Sequence, residues 1–207
     1  MYPKIKDTTD FGLTLAHRKL PQQKRSQVTV QSILQATMEL AETEGFLNLG
    51  TRRIAERAGI SPGSLYQYFP TVEAILLTIY EKTASNVTEK FRSKMMNVMH
   101  APMEVVGRET LTLLLKEYEA NQLILHRMVI EKPQLMLAPG TASLERLFGA
   151  GVRLYFRQFH GLHERDIARV SFFLDIVVIG SLRNYLSDRP EQLSRKAFLD
   201  DLVKVTV

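Results

Sequence analysis

The sequence predicts an all-α protein with an N-terminal three-helix bundle and a C-terminal helical domain. Apolar residues recur at helical spacing, Pro and Gly divide the chain into helix-length segments, and no stretch alternates with period two long enough to form a sheet. Val30, Ile33, Leu34 and Thr37 follow the i, i+3, i+4, i+7 spacing of an amphipathic helix. They predict a first helix over Val30–Glu44.

Glycine and capping residues delimit the helices that follow. Gly45 is expected to end the first helix in a left-handed conformation. Thr51 can cap a short second helix that stops at Gly59, and Ser61 caps a third helix that reaches about Phe69. Together these segments predict a compact bundle of three helices.

A long fourth helix begins after Pro70. Thr71 can cap it, and Glu73 lies in its first turn, where the helix dipole favours an acid. It is expected to extend to about residue 99, and further helices are predicted over 103–120, 122–131, 143–159, 164–187 and 191–205. The predicted organisation is a basic, partly disordered N-terminal arm (1–25), a small helical bundle (26–71) and a larger helical domain (72–207).

Composition excludes several classes of protein. Hydrophobic residues make up 45% and charged residues 24% of the 207, as in soluble globular proteins. The absence of cysteine removes disulfides, thiolate zinc sites and cysteine nucleophiles. Because the N-terminus lacks the apolar stretch of a secretory signal, we expect a cytoplasmic protein without a membrane segment. His160 and His163 flank Gly161 at a predicted helix end and are not expected to share a helical face, so we expect no metal site, and no cofactor is predicted.

Basic charge is concentrated near the predicted bundle. The net charge is +5 and the pI about 9.5, which suits a polyanionic partner. No acid occurs between Phe11 and Met38, and between Gly45 and Val72 the sole acid is Glu56. Lys24 and Arg25 are therefore candidate phosphate contacts at the end of the arm.

The second and third helices have the residues of a helix-turn-helix. Ala55 is small enough for a close helix crossing, Gly59 tolerates a positive φ in the turn, and Leu65 anchors the second helix. The outer face that remains consists of Pro62, Gly63, Ser64, Tyr66, Gln67 and Tyr68. Helix N-terminal amides bind phosphate, and Ser, Tyr and Gln side chains reach phosphates and base edges. This face is predicted to bind DNA.

The segment TRRIAERAGISPGSLYQYFP, starting at Thr51, resembles the DNA-binding region of TetR-family regulators, and the resemblance covers roughly 26–80. It implies that Thr51 and Arg52 contact the DNA backbone. It also implies a recognition face formed by Ser61, Gly63, Ser64, Tyr66, Gln67 and Tyr68. Within this face, Tyr66 and Tyr68 are expected to bind phosphates, and Gly63, Ser64 and Gln67 are expected to lie near bases.

Two positions depart from the family pattern. Val72 stands where the family usually has a phosphate-binding lysine, and Gly50 stands where a threonine is common. The lysine contact is therefore expected to be missing, so that Arg52, Lys24 and Arg25 should matter more for affinity.

In proteins with this resemblance, the C-terminal half binds a small molecule and dimerises through its last two helices. The segment FFLDIVVIGSL within 170–182 is apolar nearly all round, which requires burial on several sides. The predicted dimer contacts are Val170, Leu174, Val178, Ser181 and Leu182.

Methionine and aromatic side chains make adaptable pocket walls. The predicted ligand contacts are Met95, Met99, Leu111, Leu115, Tyr118, Met128, Phe148, Phe172 and Phe173.

The sequence thus predicts a ligand-responsive repressor that binds a palindromic operator as a homodimer and is released by a small apolar or amphipathic effector. One alternative is a DNA-binding dimer without an effector. Another is an all-α enzyme with an incidental basic segment, although H-E-x-x-H and a phosphate-cradling loop are absent from the sequence.

Overall fold

A computed structural model describes residues 24–136, 144–159 and 162–206. Within these ranges every regular element is helical and no strand occurs, which confirms the predicted all-α class. The predicted N-terminal arm lies outside the described residues up to position 23. None of the described helices is long and apolar enough to cross a membrane.

The chain divides into two compact units. As far as it is described, unit 1 comprises residues 24–82 and 128–136. Unit 2 comprises 83–127, 144–159 and 162–206. The two stretches of unit 1 are therefore separated by 45 residues of unit 2 (83–127), an arrangement that the helical periodicity does not reveal.

Unit 1 is built around the N-terminal bundle. Its core includes Phe46, Ile54 and Leu65, each 0% exposed. Burial of such side chains contributes about 1.5 to 3 kcal/mol each. Its helices are α1 (Lys24–Glu44), α2 (Thr51–Arg57), α3 (Pro62–Tyr68), the first part of α4 (Val72–Val98), α6 (Val129–Glu131) and α7 (Pro133–Met136).

The first helix is longer than predicted. It begins at Lys24 and not at Val30, because the intervening residues include good helix formers and contain neither Pro nor Gly. Gly45 has the expected positive φ of 82°, but its ψ of 162° is not left-handed helical. It leads into a single 3-10 turn, Phe46–Asn48.

Of the three predicted N-terminal caps, those of α3 and α4 are confirmed and that of α2 is wrong. Ser61 caps α3, its hydroxyl accepting from the Ser64 amide at 3.1 Å, and Thr71 accepts from the Ala74 amide at 3.2 Å at the start of α4. Thr51, however, is the first helical residue of α2, and Gly50 occupies the N-cap. The Thr51 hydroxyl is therefore available for a contact outside its own helix.

Unit 2 consists of longer helices. They are the remainder of α4, α5 (Met103–Ala120), α8 (Leu144–Phe159), α9 (Glu164–Asp188) and α10 (Arg195–Thr206). The last helix begins later than predicted, because Ser194 caps it by accepting from the Ala197 amide at 3.2 Å. The expected α-helix over 122–131 is instead a π-helix, Leu123–Met128, followed by α6.

Candidate DNA-binding surface and effector cavity

The helix-turn-helix has the geometry that its small residues predict. Ala55 on α2 and Leu65 on α3 are 0% exposed, and Gly59 in the turn has a φ of 69°. An L side chain at Gly59 would be strained by about 1 kcal/mol or more. The crossing of α2 and α3 is therefore fixed by a packed core and a glycine turn.

Two arginines of α2 bind acids of α1. Arg53 donates to Glu44 at 2.6 Å, and Arg57 donates to Glu39 at 2.6 Å. Hydrogen bonds from Gln35 and Arg57 hold the pKa of Glu39 below its usual value. These arginines serve to join α2 to α1, so the basic charge of this segment is less available to DNA than the sequence suggests.

Arg52 remains accessible. Its side chain is 85% exposed and lies 3.2 Å from Glu56, which is itself 62% exposed. An exposed i, i+4 pair of this kind is worth about 0.3 to 0.5 kcal/mol, and a DNA phosphate can readily replace the acid. Lys24 and Arg25 lie in the first turn of α1, and their side chains are outside the described residues.

The outer face of α3 presents polar side chains to solvent. Gly63 and Gln67 are exposed, whereas Ser64 and Tyr68 are half-buried. Tyr66 is 45% exposed. The face carries hydrogen-bonding groups without charge, as the sequence predicts.

A hydroxyl pair joins α2 to α3 on this face. The Oγ1 of Thr51 lies 2.8 Å from the phenolic oxygen of Tyr66. One O–H of the pair donates to the other, and the second O–H remains free to donate to a phosphate oxygen. The sequence suggests a DNA contact for each residue but not their contact with each other, since they are fifteen positions apart.

Ser61 has a structural contact in addition to its predicted DNA contact. Its hydroxyl accepts from the Ser64 amide and lies 2.9 Å from the Ser64 hydroxyl. Both side chains therefore stabilise the first turn of α3. At Gly63 an added Cβ would meet only the Ser61 hydroxyl, at 3.9 Å, so the glycine is not needed for packing within unit 1.

Unit 2 contains an apolar cavity of about 70 Å³. None of the described residues that line it is charged. The hydroxyls of Thr110 and Thr206 donate to carbonyl groups of their own helices, and burial raises the pKa of Tyr155. The lining includes Phe91, Met95, Val106, Leu111, Phe148, Val152, Tyr155, Phe156, Leu174 and Val178.

The predicted ligand contacts lie in different environments, and only some of them line the cavity. Met95, Leu111 and Phe148 line the cavity. Leu115 and Tyr118 are buried in unit 2 away from it, Met99 is half-buried away from it, and Met128 is buried in unit 1. Phe172 and Phe173 are 61% and 62% exposed, so neither forms a wall of this cavity, because the α9 face that carries them points to solvent.

The opposite sides of α9 have different environments. Val178 and Leu182 are buried within unit 2, and Leu174 lines the cavity with Val178. These predicted dimer contacts therefore lie on the inner face, whereas Val170, at 36% exposure, is on the surface and Ser181 is half-buried.

The exposed apolar face of α9 is formed by Phe172, Phe173 and Ile176, the last 55% exposed. The two phenylalanine rings contact each other edge to face, with centroids 5.6 Å apart. Leu154 on α8 is also 57% exposed. The segment is apolar all round in sequence, and periodicity alone therefore cannot tell which side faces solvent.

The fold and the polar surface of α3 define a helix-turn-helix protein with a second helical unit. Residues 33–79 match the sequence model of a family described as bacterial regulatory proteins, tetR family. The chain therefore contains, between residues 33 and 79, a segment similar to the one that this family shares. No curated protein matches the chain significantly in sequence.

Solved structures share the fold at low sequence identity. The fatty acid degradation regulator FadR of Bacillus halodurans is 14% identical, with a TM-score of 0.66 over 86% of this chain and 94% of its own. FadR of Thermus thermophilus, a TetR-family repressor in complex with lauroyl-CoA, is 19% identical, with a TM-score of 0.58 over 86% and 92%. A TetR-family regulator of Haemophilus influenzae is 15% identical, with a TM-score of 0.61 over 89% and 97%.

Proposed function

We propose that the protein is a repressor that binds a palindromic operator as a homodimer and is released by a small apolar or amphipathic effector. The observation that carries the DNA-binding part is the outer face of α3, where the Thr51–Tyr66 hydroxyl pair adjoins exposed Gly63 and Gln67. Tyr66 and Arg52 bind phosphates, and Gly63, Ser64 and Gln67 approach base edges in the major groove.

The dimer is proposed to form through the exposed apolar face of α9. Phe172, Phe173 and Ile176 would otherwise leave a cluster of large apolar side chains in water. A twofold axis pairs each such face with its copy and gives two reading heads, as a palindromic operator requires. This assignment replaces the inner-face contacts Val178 and Leu182 as the centre of the proposed interface.

The effector is proposed to occupy the cavity of unit 2. The lining binds an uncharged chain or ring, because no described lining side chain can neutralise a buried charge. A charged end of an amphipathic effector must therefore stay outside the apolar part. The lauroyl-CoA held by the Thermus FadR repressor is a molecule of this class. Its binding would shift α4, which runs from unit 1 into unit 2.

The DNA-binding proposal is tested by selecting duplexes from a random-sequence pool with the full chain. The expected result is a motif with two inverted half-sites, bound by two protomers. Gln67→Ala should relax the preference at one position in each half-site. Enrichment of a single half-site bound by one protomer, or failure to enrich any sequence, would contradict the proposal.

The effector proposal is tested with lauroyl-CoA and lauric acid as probes. Either probe should raise the melting temperature of the protein and release the selected duplex. Val152→Phe, which fills the cavity from its lining, should abolish both effects while leaving DNA binding intact. Release that persists in Val152→Phe would place the effector elsewhere, and the absence of any response to both probes would contradict the proposed effector class.

A further inference from the structure

A ten-residue connector, Gln122–Glu131, leads from unit 2 into unit 1. It starts at the end of α5, contains the π-helix Leu123–Met128 and ends with α6. The chain passes from unit 2 to unit 1 between Arg127 and Met128. The connector is thus a covalent link between the units in addition to α4.

In unit 2 the connector is joined to the last turn of α9. The Nε2 of His126 lies 3.0 Å from the Ser187 hydroxyl, and the Gln122 amide donates to the Leu186 carbonyl at 3.5 Å. His126 is 7% exposed, so its ring is held by packing as well as by this hydrogen bond. Helix α9 also contributes to the cavity wall and carries the exposed apolar face.

In unit 1 the connector is joined to the start of the helix-turn-helix. The backbone N–H of Phe46 donates to Oε2 of Glu131 at 2.8 Å across 85 positions of sequence. Phe46 is 0% exposed and opens the 3-10 turn between α1 and α2. A buried N–H needs an acceptor, and the Glu131 carboxylate provides one that is charged and therefore strong. The residues around Glu131 are anchored by Met128 and Leu135, which are 0% and 5% exposed.

The π-helix gives the connector a means of changing length. A π-turn holds one more residue than an α-turn, and π-turns are frequent at functional sites. Conversion to an α-helix would rotate the following residues by about 100° and translate them by about 1.5 Å. A movement of that size would separate the Glu131 carboxylate from the Phe46 amide.

We propose that Glu131 is a positioning residue that couples unit 2 to the DNA-reading helices through its hydrogen bond to the Phe46 amide. The consequence for operator release rests on the proposed function, but the coupling itself does not. Movement of α9 displaces His126, and the connector transmits this displacement to Glu131. The hydrogen bond between Glu131 and the Phe46 amide, in the turn that precedes α2, is then altered. The 3-10 turn Phe46–Asn48, which leads into the helix-turn-helix, then changes position, while the apolar core of the helix-turn-helix stays the same.

The test measures hydrogen exchange of the Phe46 amide in the full chain without DNA. Glu131→Ala should accelerate this exchange by about tenfold or more, and Glu131→Gln, which keeps an oxygen acceptor, should restore most of the protection. The decisive variant is Ser187→Ala, which removes an exposed hydroxyl from unit 2. It should also accelerate exchange of the Phe46 amide. Thr112→Ala, whose exposed hydroxyl bonds to its own helix at Arg108, is the matched control and should have no effect.

The second readout is affinity for the selected duplex. Glu131→Ala should weaken binding by about tenfold, and the double variant with Ser187→Ala should bind no more weakly than Glu131→Ala alone, because both changes cut the same link. Additive losses, or a Phe46 amide that Ser187→Ala leaves unchanged, would overturn the coupling. Because the exchange experiment needs no DNA, a failure to bind any duplex would count against the proposed function alone.

Discussion

The hydroxyl of Thr51, in the first turn of α2, lies 2.8 Å from the hydroxyl of Tyr66 on α3. The two helices of the helix-turn-helix therefore meet at a polar contact on their outer face as well as in their apolar core. Because the contact is exposed, it adds little to stability, but it fixes the direction in which the remaining O–H can point.

Removing this pair should weaken DNA binding more than it weakens the fold. We expect Tyr66→Phe to lower affinity for the selected duplex by about fivefold to tenfold, equivalent to one lost hydrogen bond to phosphate. Thr51→Val should have a smaller effect, since Tyr66 keeps its own O–H. Mobility-shift titrations measure the affinities, and thermal melts should change little. Additive losses in the double variant would argue against a shared contact.

Gly63→Ala should separate folding from recognition. An added Cβ would make only an ordinary van der Waals contact with the Ser61 hydroxyl at 3.9 Å, and alanine favours a helix over glycine by about 0.8 to 1 kcal/mol. The free energy of unfolding should therefore stay the same or rise. Affinity for the selected duplex should fall, because the Cβ projects from the face that approaches DNA. If chemical denaturation and DNA titration show that both properties are unchanged, α3 does not approach DNA closely at this residue.

A charge on the exposed face of α9 should prevent dimer formation. Phe172→Glu or Phe173→Glu would place a carboxylate opposite its own copy across the proposed twofold axis, which costs several kcal/mol. Sedimentation velocity should then show monomers, and affinity for a two-half-site duplex should drop steeply. Met96→Glu, which changes a side chain of similar exposure on α4, is the control. A dimer that persists in both phenylalanine variants would place the interface elsewhere.

The stability of the protein should depend on pH through His126. Burial and the nearby charge of Arg183 lower the pKa of His126 from its usual value of 6.5. The unfolded chain therefore binds a proton at pH values where the folded protein does not, and the free energy of unfolding should fall as the pH drops below about 6.5. Urea titrations at a series of pH values measure this slope. In His126→Gln, which keeps a hydrogen-bonding side chain, the slope between about pH 6.5 and 5 should be smaller, and an unchanged slope would assign the effect to another group.

Local rules predict much of the fold from the sequence. The caps Ser61 and Thr71 and the turn residue Gly59 are predicted correctly. In each case the conformation depends on only a few neighbouring residues. The prediction that Thr51 caps α2 is wrong, because Gly50 before it adopts the extended conformation that an N-cap needs. Helix propensity extends α1 to Lys24 although its apolar periodicity begins later.

Contacts between distant residues are what the sequence does not predict. The pairs Arg57–Glu39 and Glu131–Phe46 depend on how helices pack, and nothing in either segment marks its partner. For α9, apolar residues on all sides leave its orientation undetermined, so Leu174 and Val178 turn inward while Phe172 faces solvent. The DNA face is better predicted, because a short helix after a capped turn has few ways to expose polar side chains.

The most direct test of the central claim compares the wild-type protein and Gln67→Ala on the selected duplex and on an unrelated duplex, across a range of salt concentrations. The claim that α3 reads DNA predicts that Gln67→Ala loses about tenfold in affinity for the selected duplex. It also predicts unchanged affinity for the unrelated duplex and the same salt dependence on both, because phosphate contacts are retained. Equal affinity of the two proteins for the selected duplex would contradict it.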